Sequence, residues 1–231
     1  MKPGDAKPAA TCWNCGAATA GEHFCPACSK IQPLPAGTDY FAFFGLARKL
    51  RVDAVDLEKR FHQLSWKLHP DNFAQASGRE RELSLERASQ LNDAYRTLAD
   101  PIRRIEYLLA RAGLRKEGQQ KQQAPPELLE EVFELNESLD ELRTARKSDG
   151  SNGDLAGLKR RLEAEQGSLQ HKLAAVDSQL EGIFHEWDAA MDAGADESSQ
   201  MKLMTRMNEL LNRRSYIRNL VASVRQELAE A

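Results

Sequence analysis

Leu57-Glu58-Lys59-Arg60-Phe61-His62-Gln63-Leu64-Ser65-Trp66-Lys67-Leu68-His69-Pro70-Asp71 is the stretch whose reading decides the fold. Leu57, Phe61, Leu64 and Leu68 are spaced four, three and four, which is one face of a helix. Pro70 ends that helix, because proline lacks a backbone N–H and restricts the residue before it. Beyond a short polar stretch, Ala88, Leu91, Tyr95 and Leu98 mark one face of a second helix, and Pro101 marks a boundary. Ile105, Leu108 and Leu109 predict one more short helix. Ahead of the stretch, Tyr40, Phe41, Phe43, Phe44 and Leu46 crowd into a short helix of their own.

The C-terminal part reads as helix throughout. Leu128, Val132, Leu135, Leu139 and Leu142 form one seam. Leu155, Leu158, Leu162, Leu169, Leu173, Val176, Leu180, Ile183 and Trp187 form a long second one. A third runs through Leu203, Met207, Leu210, Ile217, Val221, Val224 and Leu228. Long amphipathic helices with short connections pack as an antiparallel bundle. Gly118 to Pro126 is a Gln-rich linker closing on Ala124-Pro125-Pro126, and Ser148 to Gly153 is a polar loop. No stretch alternates with period two long enough to claim a sheet. The expected class is all-α, with regions at 10–30, 38–115 and 126–229.

Composition narrows the function. The chain has 231 residues, 29% of them charged, and its net charge of −3 offers no field for nucleic acid. Aromatics make up 6%, which suits helical cores of Leu and Ala. Mean hydropathy is −0.59, and no apolar run is long enough for a bilayer. Met1 to Ala10 carries no secretion or transit pattern, so the expected location is cytoplasmic, or the mitochondrial matrix if a targeting segment is missing. No Gly-rich phosphate loop and no acid–base or nucleophile constellation appears, so an enzyme is not expected. His62, His171 and His185 are scattered along predicted helices and are expected at ordinary surfaces.

All four cysteines lie in one segment, as Cys12-Trp13-Asn14-Cys15 and Cys25-Pro26-Ala27-Cys28. Two such knuckles facing each other complete the thiolate tetrahedron that zinc accepts. About twenty residues cannot bury a useful core, so metal would supply most of their folding free energy, on the order of 10 kcal/mol. Four thiolates leave no open position, so one structural zinc ion is expected rather than a catalytic one. Iron is chemically possible in the same tetrahedron. A thiol oxidoreductase is the competing reading, and a nucleic-acid module ranks below it. His23 is a spare donor, expected at the surface.

The helical pattern around His69-Pro70-Asp71 closely resembles a J-domain, the module that docks onto heat-shock ATPase chaperones. Asp39-Tyr40-Phe41-Ala42-Phe43-Phe44-Gly45-Leu46, Asn92-Asp93-Ala94-Tyr95 and Asp100-Pro101 carry the resemblance further. It implies two antiparallel helices with the tripeptide at their tip, and chaperone contact by His69 and Asp71 with Pro70 fixing the loop. Arg60 and Lys67, two turns apart, share a face that either adds a positive docking surface or is an ordinary solvated face. Asn72 stands where many J-domains carry Lys. A cysteine knuckle before this module and a three-helix bundle after it resemble the HscB family, co-chaperones of iron–sulfur cluster assembly. The resemblance implies an IscU-type scaffold bound by the bundle and an HscA/DnaK-type ATPase stimulated by the loop. A J-domain co-chaperone for a different client is the alternative.

Leu129 and Phe133 lie one position off the first bundle seam and form a second apolar pair, bordered by Glu130, Glu134 and Glu137. An apolar pair with an acidic rim suits a partly basic partner. The resemblance points to the same helix, while Glu130 stands where relatives tend to be apolar; Tyr216 on the last helix is a further candidate to extend the patch. The pair either docks the scaffold or widens the core face. The seven carboxylates from Glu127 to Glu141 could equally neutralise Lys202, Arg206, Arg213, Arg214 and Arg218 of the last helix.

Overall fold

The computed structural model describes residues 10–19, 21–35, 37–115, 126–147 and 155–230. Most of the expected linker and the polar loop at 148–153 lie outside these residues. The chain forms two compact units, Met1–Arg104 and Ile105–Ala231. The division falls inside the short helix expected around Ile105. Among the described residues, no helix is long and apolar enough to cross a membrane.

The first unit opens with two-residue strands, β1 (Ala10–Thr11) and β2 (Ala18–Thr19), paired antiparallel. Elements this short carry no readable alternation, which is why the sequence shows only helices. Helix α1 (Tyr40–Phe44) starts at Asp39, whose side chain accepts the Ala42 N–H at 2.7 Å. It ends at Gly45 in the left-handed region, φ 65°, where a side chain would be strained. Phe41, Phe43 and Phe44 are buried, each worth roughly 2–3 kcal/mol of transfer free energy.

Helices α2 (Ala54–Leu68) and α3 (Gly78–Ala99) form an antiparallel hairpin. Asp53 caps α2 by accepting from Val55 and Asp56. Phe61 stacks on Tyr95 with centroids 4.3 Å apart. Ser84 Oγ donates to the Leu68 carbonyl at 2.8 Å. The inner face of α3 is more polar than the Leu pattern implied: Glu80, Ser84 and Arg87 are buried beside Leu83, Leu91, Ala94 and Leu98. Helix α4 (Pro101–Arg111) follows. Arg104, 6% exposed, donates Nε to the Leu98 carbonyl at 2.8 Å and Nη1 to the Leu50 carbonyl. It thereby satisfies an orphan acceptor at the end of α3 and the carbonyl of Leu50 ahead of α2.

The second unit holds α5 (Leu129–Lys147), α6 (Leu155–Asp192) and α7 (Glu197–Glu230). Ion pairs fix the register. Glu141 meets Arg161 at 2.8 Å and Glu131 meets Lys172, so α5 and α6 run antiparallel. Arg206 with Glu186 and Arg214 with Asp177, both at 2.5 Å, set α7 antiparallel to α6. The core takes Leu135, Leu139, Leu142, Leu162, Leu169, Val176, Leu180, Ile183, Trp187, Met207, Ile217, Val221 and Val224. Leu211 is buried where the seam predicted Leu210, which is half-buried. The bundle follows a step of four from Met207, and Leu210 flanks it.

Replacing Arg104 with Met strands buried carbonyls at two places. The expected cost is about 3 kcal/mol, read as an earlier unfolding transition of the first unit by circular dichroism.

Candidate functional site

His69 is at once the C-cap of α2 and the N-cap of a single 3-10 turn, Pro70–Phe73. Its Nδ1 accepts the Asp71 N–H at 3.3 Å, so the ring's donor is Nε2. Asp71 Oδ2 lies 3.5 Å from the same nitrogen. The His69 side chain is 55% exposed and that of Asp71 89%. The turn is held from below. Phe73 is buried, and Asn72 Nδ2 donates to the Trp66 carbonyl at 2.6 Å. Asn72 thus closes the last turn of α2, a use its amide allows and a Lys could meet only as a donor on a longer stem.

The two basic residues of α2 differ. Lys67 is exposed, beside Trp66 at 75% exposure. Arg60 is turned to the fold: Nε pairs with Asp56 at 2.8 Å and Nη1 donates to the Phe44 carbonyl at 3.0 Å. It helps cap α1 and is only partly exposed. Nothing in the helical periodicity marked Trp66 as an exposed aromatic, since its position reads simply as off the seam.

The cysteine knuckles repeat one backbone design. Cys12 N–H donates to Ala17 O and Gly16 N–H to Cys12 O. Cys25 N–H likewise donates to Lys30 O, and Ser29 N–H to Cys25 O. Gly16 sits at φ 73° and Ser29, in the matching place, at φ 58°. The four Sγ atoms lie within 4.8 Å of one another, with Cys12 and Cys28 at 3.6 Å and Cys15 and Cys25 at 3.8 Å. These separations are far too long for a disulfide. Zinc–sulfur bonds of about 2.3 Å in a tetrahedron give sulfur–sulfur edges of about 3.8 Å, so the donor set fits such an ion.

The electrostatics of two of the thiols are those of a site that could hold a cation. Burial raises the Cys12 pKa, but the Cys15 and Asn14 N–H groups and the neighbouring thiols outweigh it and bring it to about 6. Cys15 is favoured by its bond to Ala17, yet the Cys28, Cys12 and Cys25 thiols with burial push it up to about 12. Charge taken at one sulfur opposes charge at the next, and a central dication removes that opposition. Gln32 Nε2 donates to Cys12 Sγ at 3.3 Å and Asn14 Nδ2 to Cys28 Sγ at 3.7 Å.

The knuckle is packed against the helical hairpin. His23, expected at the surface, is half-buried: Nε2 lies 2.9 Å from the Phe43 carbonyl, and its ring meets Phe43 edge-on at 4.7 Å. Burial holds its pKa below the ordinary value, and Arg87 and Lys67 oppose its charge further. Lys30 Nζ pairs with Glu80 at 2.9 Å. Arg79 lies over the Trp13 ring at 5.5 Å. The Ser77-Gly78-Arg79-Glu80 capping box is the sequence signal that could have located the acid end of this contact.

A Vibrio cholerae protein called co-chaperone protein HscB homolog is 34% identical over 175 residues, covering 76% of this chain and 95% of the relative. This chain belongs to the HscB co-chaperone family. A family model described as the HscB C-terminal oligomerisation domain matches residues 124–225. The mouse protein named iron-sulfur cluster co-chaperone protein HscB is 38% identical over 132 residues, 55% of this chain and 56% of its own. The crystal structure of human co-chaperone protein HscB aligns with a TM-score of 0.61 at 25% identity, covering 94% of this chain and 98% of that one. The chaperone HscB from Vibrio cholerae aligns with a TM-score of 0.53 at 27% identity, covering 82% and 96%.

In this HscB-family chain, Leu129 is 54% exposed and Phe133 71%, so the pair does not widen the bundle core. Glu130, Glu134 and Glu137 are exposed around them. The α5 carboxylates do not serve chiefly to neutralise α7: Arg206 and Arg214 pair with α6, as do Glu131 and Glu141. Ion pairs between α5 and α7 run the other way, with Arg143 and Arg146 meeting Glu227 at 2.5 and 3.2 Å. Asp177, the partner of Arg214, lies beyond Lys172 toward the N-terminal end of α5, so α7 near half-buried Tyr216 runs at that end.

Gly16→Ala meets open space, so its effect is backbone strain alone. The expected cost is about 1 kcal/mol, or about fivefold weaker metal retention in a competition with a chromogenic zinc chelator.

Proposed function

We propose that this chain is a co-chaperone of iron–sulfur cluster assembly, which binds an IscU-type scaffold through its bundle and delivers it to an HscA/DnaK-type ATPase. The observation that carries this reading is the exposure of His69 and Asp71 on a turn capped by His69 and anchored by buried Phe73, in a chain whose mouse relative is named an iron-sulfur cluster co-chaperone. The working regions are 10–30, a structural zinc knuckle on Cys12, Cys15, Cys25 and Cys28; 38–115, the J-domain; and 126–229, the scaffold-binding bundle. The free thiols suit a reducing compartment, for which the cytoplasm is the assignment.

The tip supplies no hydrolytic group to an ATP site that lies in another protein. It acts by binding the hydrolysis-competent state of the ATPase more tightly and so raising that state's population; a tenfold preference is worth about 1.4 kcal/mol. His69 Nε2 and the Asp71 carboxylate are the polar contacts, Pro70 holds their spacing, and Lys67 with the exposed part of Arg60 adds positive charge. In the bundle, Leu129 and Phe133 supply apolar area, Glu134 and Glu137 select a basic partner, and Tyr216 extends the patch.

Two experiments test the two contacts. His69→Gln is expected to leave the helical circular-dichroism spectrum unchanged while abolishing stimulation of a purified heat-shock ATPase; full stimulation by that variant overturns the docking reading. Leu129→Ala with Phe133→Ala is expected to weaken scaffold binding by more than about tenfold in calorimetry and to remove the synergy between scaffold and co-chaperone in the ATPase assay. Unchanged affinity removes the patch from the scaffold interface.

A further inference from the structure

We propose that the tetracysteine unit braces the His-Pro-Asp turn through Lys30, a positioning residue, so that metal held by the cysteines governs how firmly the turn is presented. This rests on the reading of that turn as the chaperone contact.

The connection can be followed bond by bond. Lys30 stands two residues after the last cysteine, and its carbonyl accepts the N–H of Cys25 at 2.9 Å. Its backbone is therefore part of the second knuckle, entered through Ser29 in the left-handed conformation. Its Nζ reaches Glu80 at 2.9 Å to Oε1 and 3.1 Å to Oε2. Glu80 is 5% exposed and also accepts from Ser77 N at 3.3 Å and Ser77 Oγ at 2.9 Å. Ser77 is the N-cap of α3 and directly follows Ala76, whose N–H donates to Phe73 O at 2.9 Å. Phe73 is the last residue of the turn that displays His69 and Asp71.

One buried carboxylate thus ties the knuckle to the exit of the functional turn. Lys30 is the first cause holding the Glu80 pKa below its ordinary value, and the Ser77 hydroxyl and N–H add to it against burial. Trp13 Nε1, donating to Ile31 O at 2.6 Å, and Arg79 over the Trp13 ring support the same junction. The entrance to the turn is secured separately, by Ser84 Oγ on Leu68 O and Asn72 on Trp66 O. The link through Lys30 therefore falls on the exit side. A unit of this size with no core loses its shape without the metal, and the position of Lys30 goes with it.

The test uses the zinc-loaded full chain and hydrogen exchange read by mass spectrometry. Lys30→Met is expected to retain one zinc and to speed exchange across residues 74–81 by roughly three- to tenfold, the range for a partly exposed lysine on a buried carboxylate. Exchange in α6 and α7 stays unchanged, and the concentration for half-maximal ATPase stimulation rises by a similar factor. Lys30→Arg restores both values. Chelation of zinc from the unaltered chain reproduces the acceleration at the same residues. Unchanged exchange at 74–81 in Lys30→Met overturns the brace. Acceleration spread evenly over α2 and α3 also overturns it, since that marks general stabilisation. Faster exchange with unchanged ATPase stimulation overturns the link to presentation. Failure of the docking reading itself shows separately, as full stimulation by His69→Gln.

Discussion

The contact between α2 and α3 is the constraint on which the display of the turn depends. Phe61 stacked on Tyr95, with Leu57, Leu68, Leu91 and Leu98 buried around it, keeps the two helices antiparallel. An antiparallel pair needs a reversal, and Pro70 places that reversal immediately after His69. The residues of the reversal are then exposed because the hairpin is packed, with Phe73 and Asn72 tying its underside. Polar contacts at buried positions of α3 refine this arrangement. Ser84 satisfies a carbonyl at the end of α2, and Glu80 closes a capping box while meeting Lys30.

The knuckle and the bundle solve the problem of stability in opposite ways. The knuckle has few apolar side chains, and its geometry comes from paired turns that bring four sulfurs within 4.8 Å of one another. The bundle buries Leu, Ile, Val and Trp187 along three helices and sets their register with interhelical ion pairs. Its surface charges therefore have a structural task that composition alone does not separate from partner recognition. Glu131 and Glu141 meet α6, whereas Glu134 and Glu137 stay exposed beside Leu129 and Phe133.

Much of this was legible in the chain. Helical spacing located the hairpin and the bundle, because a period of 3.6 is a local property. The two Cys-x-x-Cys pairs identified the four sulfurs that converge, because spacing inside one tight turn is local too. The misreadings were residues whose role is set by another element. His23 packs on Phe43, and Leu211 takes the core place given to Leu210. Trp66, set off the helical seam, shows its exposure only once α2 is packed.

By itself, then, the order of residues determined which segments are helical, where the reversal falls, and which sulfurs converge. Those follow from backbone sterics, apolar periodicity and ligand chemistry over a few neighbours. Only the tertiary structure decided which charges face solvent and which face the fold. Arg60 turns to a helix end, Arg104 to two buried carbonyls, and Lys30 to a carboxylate fifty residues away. The reason is that a charged side chain settles against whichever opposite charge or unsatisfied carbonyl packing brings within reach, and that distance does not exist until the helices have met.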